Sequence, residues 1–147
     1  MSVPQIEIDG CRQAHTKLVT AIADLTDTDV SQPSLLADWT LGHVLARLAR
    51  HADAMSRRID AALQGEVVEQ YVGCADGSDA EINAGATRAA HAIVADITSS
   101  AVRLDALFAS VLVDRWSMLV RTQRCDQRAL MAWALGRGPA SELEPWG

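Results

Sequence analysis

Apolar positions recur at helical spacing along most of this chain. Ile8, Cys11, His15, Leu18, Ile22 and Leu25 fall at three- and four-residue steps, which predicts a first helix over about residues 6–25. Thr26-Asp27-Thr28-Asp29 is expected to end it, and Ser31-Gln32-Pro33-Ser34 has the chemistry of a loop. A second helix is expected to start after Thr40, a good N-cap, with Asp38 adding negative charge near the positive end of the dipole. Its apolar stripe is Leu41, Val44, Leu45, Leu48, Ala52, Met55, Ile59 and Leu63, and Gly65 stands just past its end. The segment 71–77 reads as a loop. Ser78-Asp79-Ala80-Glu81 has the form of a capping box and predicts a long third helix through Phe108, with Ser99-Ser100 as a point of interruption. From Val111 to Thr122 the pattern suits a short strand, with Trp116, Met118 and Val120 alternating, and also tolerates helix. Gln127–Leu135 predicts a short fourth helix, capped by Gly136 and stopped by Pro139. The tail from Ser141 is read as extended, with Trp146 docked on the body.

Three long amphipathic helices and a short one predict an all-α antiparallel bundle. A chain of 147 residues is expected to form a single domain over 1–147. A short fourth wall leaves apolar surface, and burying it against a second copy predicts a homodimer.

Composition narrows the function classes. Hydrophobic residues make up 49% and aromatics only 4%, so the core must be aliphatic and rich in alanine. A formal charge of −6 argues against nucleic-acid binding, which needs a basic face. Charges interrupt every apolar run before it reaches membrane-spanning length. The N-terminus has neither the basic nor the apolar region of a signal peptide, and Cys11, Cys74 and Cys125 form no paired spacing. Free thiols in a reducing cytoplasm are therefore expected.

Four histidines offer chemistry. His15 lies on the first helix's buried stripe and His91 near the core edge of the third helix. His43, Arg47 and His51 differ, because steps of four drift only about 40° round a helix and place all three on one side. Two histidines eight residues apart are about 12 Å apart along the axis, too far to share a metal. The side is either a solvated polar face or the rim of a pocket for an anion, with Arg47 as a bidentate clamp. Trp39, Trp116, Trp133 and Trp146 read as core anchors, and Trp39 can also line such a pocket. Cys125 follows Arg121 and Arg124, which would favour its thiolate if they face it. Asp24, Asp27 and Asp29 lack the calcium-loop pattern. Gly136-Arg137-Gly138 follows a helix and so offers a phosphate no helix N-terminus.

The run from Ser34 to Asp53, SLLADWTLGHVLARLARHAD, resembles the first signature of the mycothiol-dependent maleylpyruvate isomerases, members of the DinB-like metalloenzymes. Glu81-Ile82-Asn83 resembles a segment of the family's third helix, so the resemblance to the N-terminal domain spans about 5–116. Residues 127–147, with Ala129-Leu130-Met131-Ala132-Trp133, resemble the family's C-terminal end. The resemblance implies a DinB-like four-helix bundle, a divalent metal such as zinc, and mycothiol as a thiol cofactor for isomerisation or thiol transfer. It also implies that Arg47 stands where the family has its first metal ligand, His43 matching the other histidine of the motif. Arg124 and Arg128 stand where a Glu and a His are expected.

Three readings follow. The chain is a maleylpyruvate isomerase-like enzyme. Alternatively, it is a metal-free protein that binds a small anion or thiol through Arg47, Trp39, His43 and His51, with His43 or His51 available for acid–base work. The third reading is a dimeric interaction protein without catalysis. The changed ligand positions predict no bound cofactor in this chain.

Overall fold

The structure is a computed structural model that describes residues 2–68 and 74–117. Five helices lie among the described residues: α1 (Gln5–Ile22), α2 (Asp27–Val30), α3 (Leu41–Leu63), α4 (Cys74–Ala86) and α5 (Ala90–Ser110). No helix of the described residues is long and apolar enough to cross a membrane. The central element is α3. Both α5 and α4 pack along it, α1 packs on α5, and the short α2 touches α3 and α5.

Local chemistry explains most boundaries. The first helix stops at Ile22, and the acidic segment expected only to end it forms α2 instead. Thr26 accepts from the Asp29 N–H at 3.2 Å, and Asp29 returns the bond by accepting from the Thr26 N–H at 2.9 Å. The Thr26 hydroxyl also donates to the Asp29 carboxylate at 2.7 Å, and this bond, then the one from the Thr26 N–H, holds that carboxyl below its ordinary value. Asp27 reaches further and accepts from the Ala90 N–H at 2.7 Å, capping α5 from another helix. The acids of this segment are helix caps.

That distant cap also explains a correction to the third helix. The expected single helix is two, broken at residues 87–89, where Ala89 turns extended with ψ 147°. The Thr87 hydroxyl donates to the Ala84 carbonyl, and Arg88 Nε donates to that of Gly85. The Ser99–Ser100 pair does not interrupt α5, because the buried Ser100 hydroxyl donates to Asp53 on α3 at 3.0 Å. Ser78–Glu81 lies inside α4, which starts at Cys74; the expected loop over 71–77 is helical from 74 onward.

The buried face of α3 is built from small residues. Gly42, Ala46, Ala49, Ala52, Ala54, Ser56, Ala61 and Ala62 are buried with Leu45 and Ile59, whereas Leu48, on the expected apolar stripe, is 41% exposed. Small side chains let α4 approach closely. A Cβ on Gly42 would stand 2.6 Å from the Ala86 carbonyl oxygen, and one on Gly85 would stand 3.0 Å from Ala46 Cβ. Two apolar clusters fill the remaining space. Ile22, Val30, Leu45, Ile93 and Ile97 form one, and Ile59, Leu104 and Val111 form the other, with Phe108 and Trp116 packed against it. Each fully buried Ile or Leu contributes about 1.5–3 kcal/mol.

An ionic chain ties α3 to α5. Arg50 Nη2 donates to both oxygens of Asp96 at 2.6 and 2.7 Å and lies 3.1 Å from Asp53. Arg88 closes one end on Asp96 and Arg103 closes the other on Asp53. From Val111 to Ser117 the backbone makes a turn and begins a helical turn, not a strand. The expected fourth helix at Gln127–Leu135, Cys125 with Arg121 and Arg124, Arg128, the tail, Trp133 and Trp146 lie outside the described residues.

Candidate functional site on the central helix

The approach to α3 is a tight loop. Ser34 N–H donates to the Trp39 carbonyl at 2.8 Å, and Leu41 N–H donates to that of Gln32 at 2.9 Å, pairing Pro33 with Thr40. The loop puts Leu35 and Leu36 out into solvent. Asp38 takes the left-handed turn, φ 63°, that brings Trp39 and Thr40 back to the helix.

Thr40 caps α3, and the residue that completes the capping box is His43. Thr40 N–H donates to His43 Nδ1 at 3.2 Å, the Thr40 hydroxyl lies 2.8 Å from the same nitrogen, and His43 N–H donates to Thr40 Oγ1 at 3.4 Å. A neutral imidazole carries one lone pair, and in this geometry it faces the Thr40 N–H. Trp39 lies over the ring, with centroids 5.9 Å apart and planes tilted by 34°. His43 and Trp39, both half-buried, are thus brought together as a helix start.

Arg47 and His51 follow at one and two turns and are exposed. Enough protein surrounds the His51 ring for burial to lower its pKa below the ordinary value, and Arg47 and then Arg58 lower it further. Arg58, half-buried about two turns further along the same side, is the member of this set that the sequence reading did not single out. Its spacing of seven from His51 was the signal.

The other histidines do different work. His15 Nδ1 lies 2.7 Å from Asp105, tying α1 to α5, and His91 is exposed rather than at the core edge. Cys11 is a free, half-buried thiol whose pKa is raised by burial and then by the Asp105 charge.

The sequence profile of the mycothiol maleylpyruvate isomerase N-terminal domain matches residues 11–138. The chain belongs to that family. A crystal structure of the mycothiol-dependent maleylpyruvate isomerase is similar to it, with a TM-score of 0.69 and 26% identity over 78% of this chain and 48% of that one. A histidine-to-alanine mutant of the isomerase matches equally, at TM-score 0.69 and 26% identity. The chain therefore spans about half the length of the isomerase structures it resembles. Among curated proteins none matches. The maleylpyruvate isomerase likeness confirms the all-α, DinB-like fold.

The described residues do not fit the divalent metal that the family implies. Arg47 has no lone pair to give, the lone pair of His43 faces Thr40, and His51 stands beside two guanidinium groups. Among the described residues no three His, Cys, Asp or Glu side chains converge on a point.

Proposed function

We propose that this maleylpyruvate isomerase-family domain binds a small anionic or thiol-bearing molecule, of the mycothiol class, on the face of α3 that carries Arg47 and His51. The observation that carries the reading is the placement of Arg47 one turn from His51, both exposed, on a helix within the span that the family profile matches. A guanidinium there supplies a fixed positive charge with planar, paired donors suited to a carboxylate. His51, its pKa lowered, is mostly neutral at pH 7 and can accept a proton, so it carries the acid–base role of a metal-free isomerase or thiol transferase. His43 serves this site through the helix start it builds. The free Cys11 supports a cytoplasmic location.

The test is a thermal-shift titration with mycothiol, run on the full chain and on Arg47→Ala, beside elemental analysis of untagged protein. A stabilisation that Arg47→Ala abolishes, without stoichiometric metal, is expected. Stoichiometric zinc, or a shift indifferent to Arg47→Ala, refutes the reading. A homodimer through the same face is a second reading, favoured by Leu48 at 41% exposed beside half-buried Val44 and Met55. A monomer in sedimentation removes it.

A further inference from the structure

The loop between α2 and α3 holds two leucines in water. Leu35 is 106% exposed and Leu36 55% exposed, and Pro33 and Ala37 beside them are exposed too. The backbone under them is nonetheless fixed. Ser34 N–H donates to the Trp39 carbonyl at 2.8 Å, Trp39 N–H to the Leu36 carbonyl at 3.2 Å, and Leu36 N–H to the Ser34 hydroxyl at 3.1 Å. Asp38 closes the loop with its left-handed φ of 63°. Adjacent leucines presented on ordered backbone, outside both apolar clusters of the described residues, mark a contact surface.

The rim of that surface is acidic. Every charge between residues 23 and 40 is an aspartate: Asp24, Asp27, Asp29 and Asp38. Arg88, in the break before α5, is paired with Asp96, and Lys17 and Arg47 stand about a turn and a half from this end along α1 and α3. Such a surface fits an occupant that is both apolar and cationic. Residues 121–137, which lie outside the described ones, have that character. They carry four arginines against one aspartate in a chain of formal charge −6, and 129–135 is an uninterrupted apolar run, ALMAWAL. The segment has the reach. Ser117 stands near the far end of α3, where Trp116 packs against the cluster of Ile59 and Ala62. The helix is about 34 Å long, and the chain from Ser117 to Leu130 spans up to about 45 Å. A tether of this length gives an effective concentration on the order of millimolar, which favours the chain's own segment over that of a second copy.

We propose that the Leu35–Leu36 loop is the docking surface for residues 121–137 of the same chain, with the run 129–135 over the two leucines and the arginines toward Asp24 and Asp38. The contact is intramolecular and holds at any protein concentration. It does not rest on the anion-binding reading.

The photo-crosslinking residue benzoylphenylalanine, placed at Leu35 of the full chain, tests the contact. The same residue at the exposed Val102 of α5 is the control. Peptide mapping is expected to find an adduct between position 35 and 129–135, at monomer mass and indifferent to dilution, and none from position 102. Alkylation of Cys125, timed by mass spectrometry, gives a second readout. Leu35→Ser combined with Leu36→Ser raises its rate about tenfold and leaves that of Cys11 unchanged. Both leucines are exposed, so the double variant keeps its fold. An adduct at dimer mass that fades on dilution overturns the intramolecular occupant in favour of a second copy. No adduct with 129–135, an equal adduct from position 102, or a Cys125 rate indifferent to the two serines overturns the docking surface itself.

Discussion

Replacing His43 with alanine separates the structural work of this side chain from any chemical role. The substitution removes the acceptor for the Thr40 N–H, which lies 3.2 Å from His43 Nδ1. Thr40 Oγ1 still accepts from the N–H of position 43, so half of the capping box survives. Losing one member of a cap costs about 0.5–1 kcal/mol. Losing the ring against Trp39, 5.9 Å away and only half-buried, costs about 0.5–1 kcal/mol more. The sum, about 1–2 kcal/mol, lowers the melting temperature of a chain this size by about 3–6 °C. Glutamine is the informative control. At the third helical position it completes a capping box as histidine does here but offers no aromatic ring, so His43→Gln should recover about half of the loss. Urea melts and calorimetry on the three proteins provide the measurement. If His43→Ala is as stable as the parent, the capping geometry carries no energy and the argument fails. It fails equally if glutamine is no better than alanine.

Two other substitutions test the packing. Gly42→Ala gains about 1 kcal/mol in helix propensity. Its Cβ, however, meets the carbonyl oxygens of Ala86 at 2.6 Å and Val30 at 3.1 Å, both backbone atoms that cannot swing aside. Overpacking should win, leaving a net loss of about 1–2 kcal/mol in denaturant titration; a variant as stable as the parent would mean that α4 is free to move off α3. At Cys11, a thiol pKa raised by burial and Asp105 means little thiolate near neutrality, so alkylation at pH 8 should be slower than for an unhindered thiol. Asp105→Asn should speed it, and an unchanged rate, read by mass spectrometry at Cys11, would show that the charge does not reach the sulfur.

The two ends of α3 were legible in the sequence because their signals are local. Thr40 caps it as a hydroxyl at that position should, and Gly65 ends it with φ 80°, a conformation open to glycine. The break between α4 and α5 was hidden because the group that caps α5 is Asp27, 63 residues earlier. Ser78–Glu81 imitated a start that Cys74 precedes, since a capping-box pattern also occurs inside helices. The exposed place of Leu48 was hidden for another reason. Periodicity ranks residues by hydrophobicity, whereas the closeness of α4 and α5 selected the small residues of α3 for the inside. At the candidate site, four-residue spacing correctly put His43, Arg47 and His51 along one side, but it could not reveal that Thr40 engages the first of them. It also could not show that Arg58 acts on the last.

These observations give α3 two faces with separate duties. The inner face, lined by glycine and alanine, sets how near α4 comes, and the Arg50–Asp96 pair ties α5 to it. That pair and its neighbours lie about 100° or more round α3 from His51, on a different side from Arg47 and Arg58. Arg47 stands on that outer side, at the position where the resemblance to the family implies a metal ligand. Under the anion-binding proposal, Arg47 and His51 on that side supply a fixed charge and a proton acceptor.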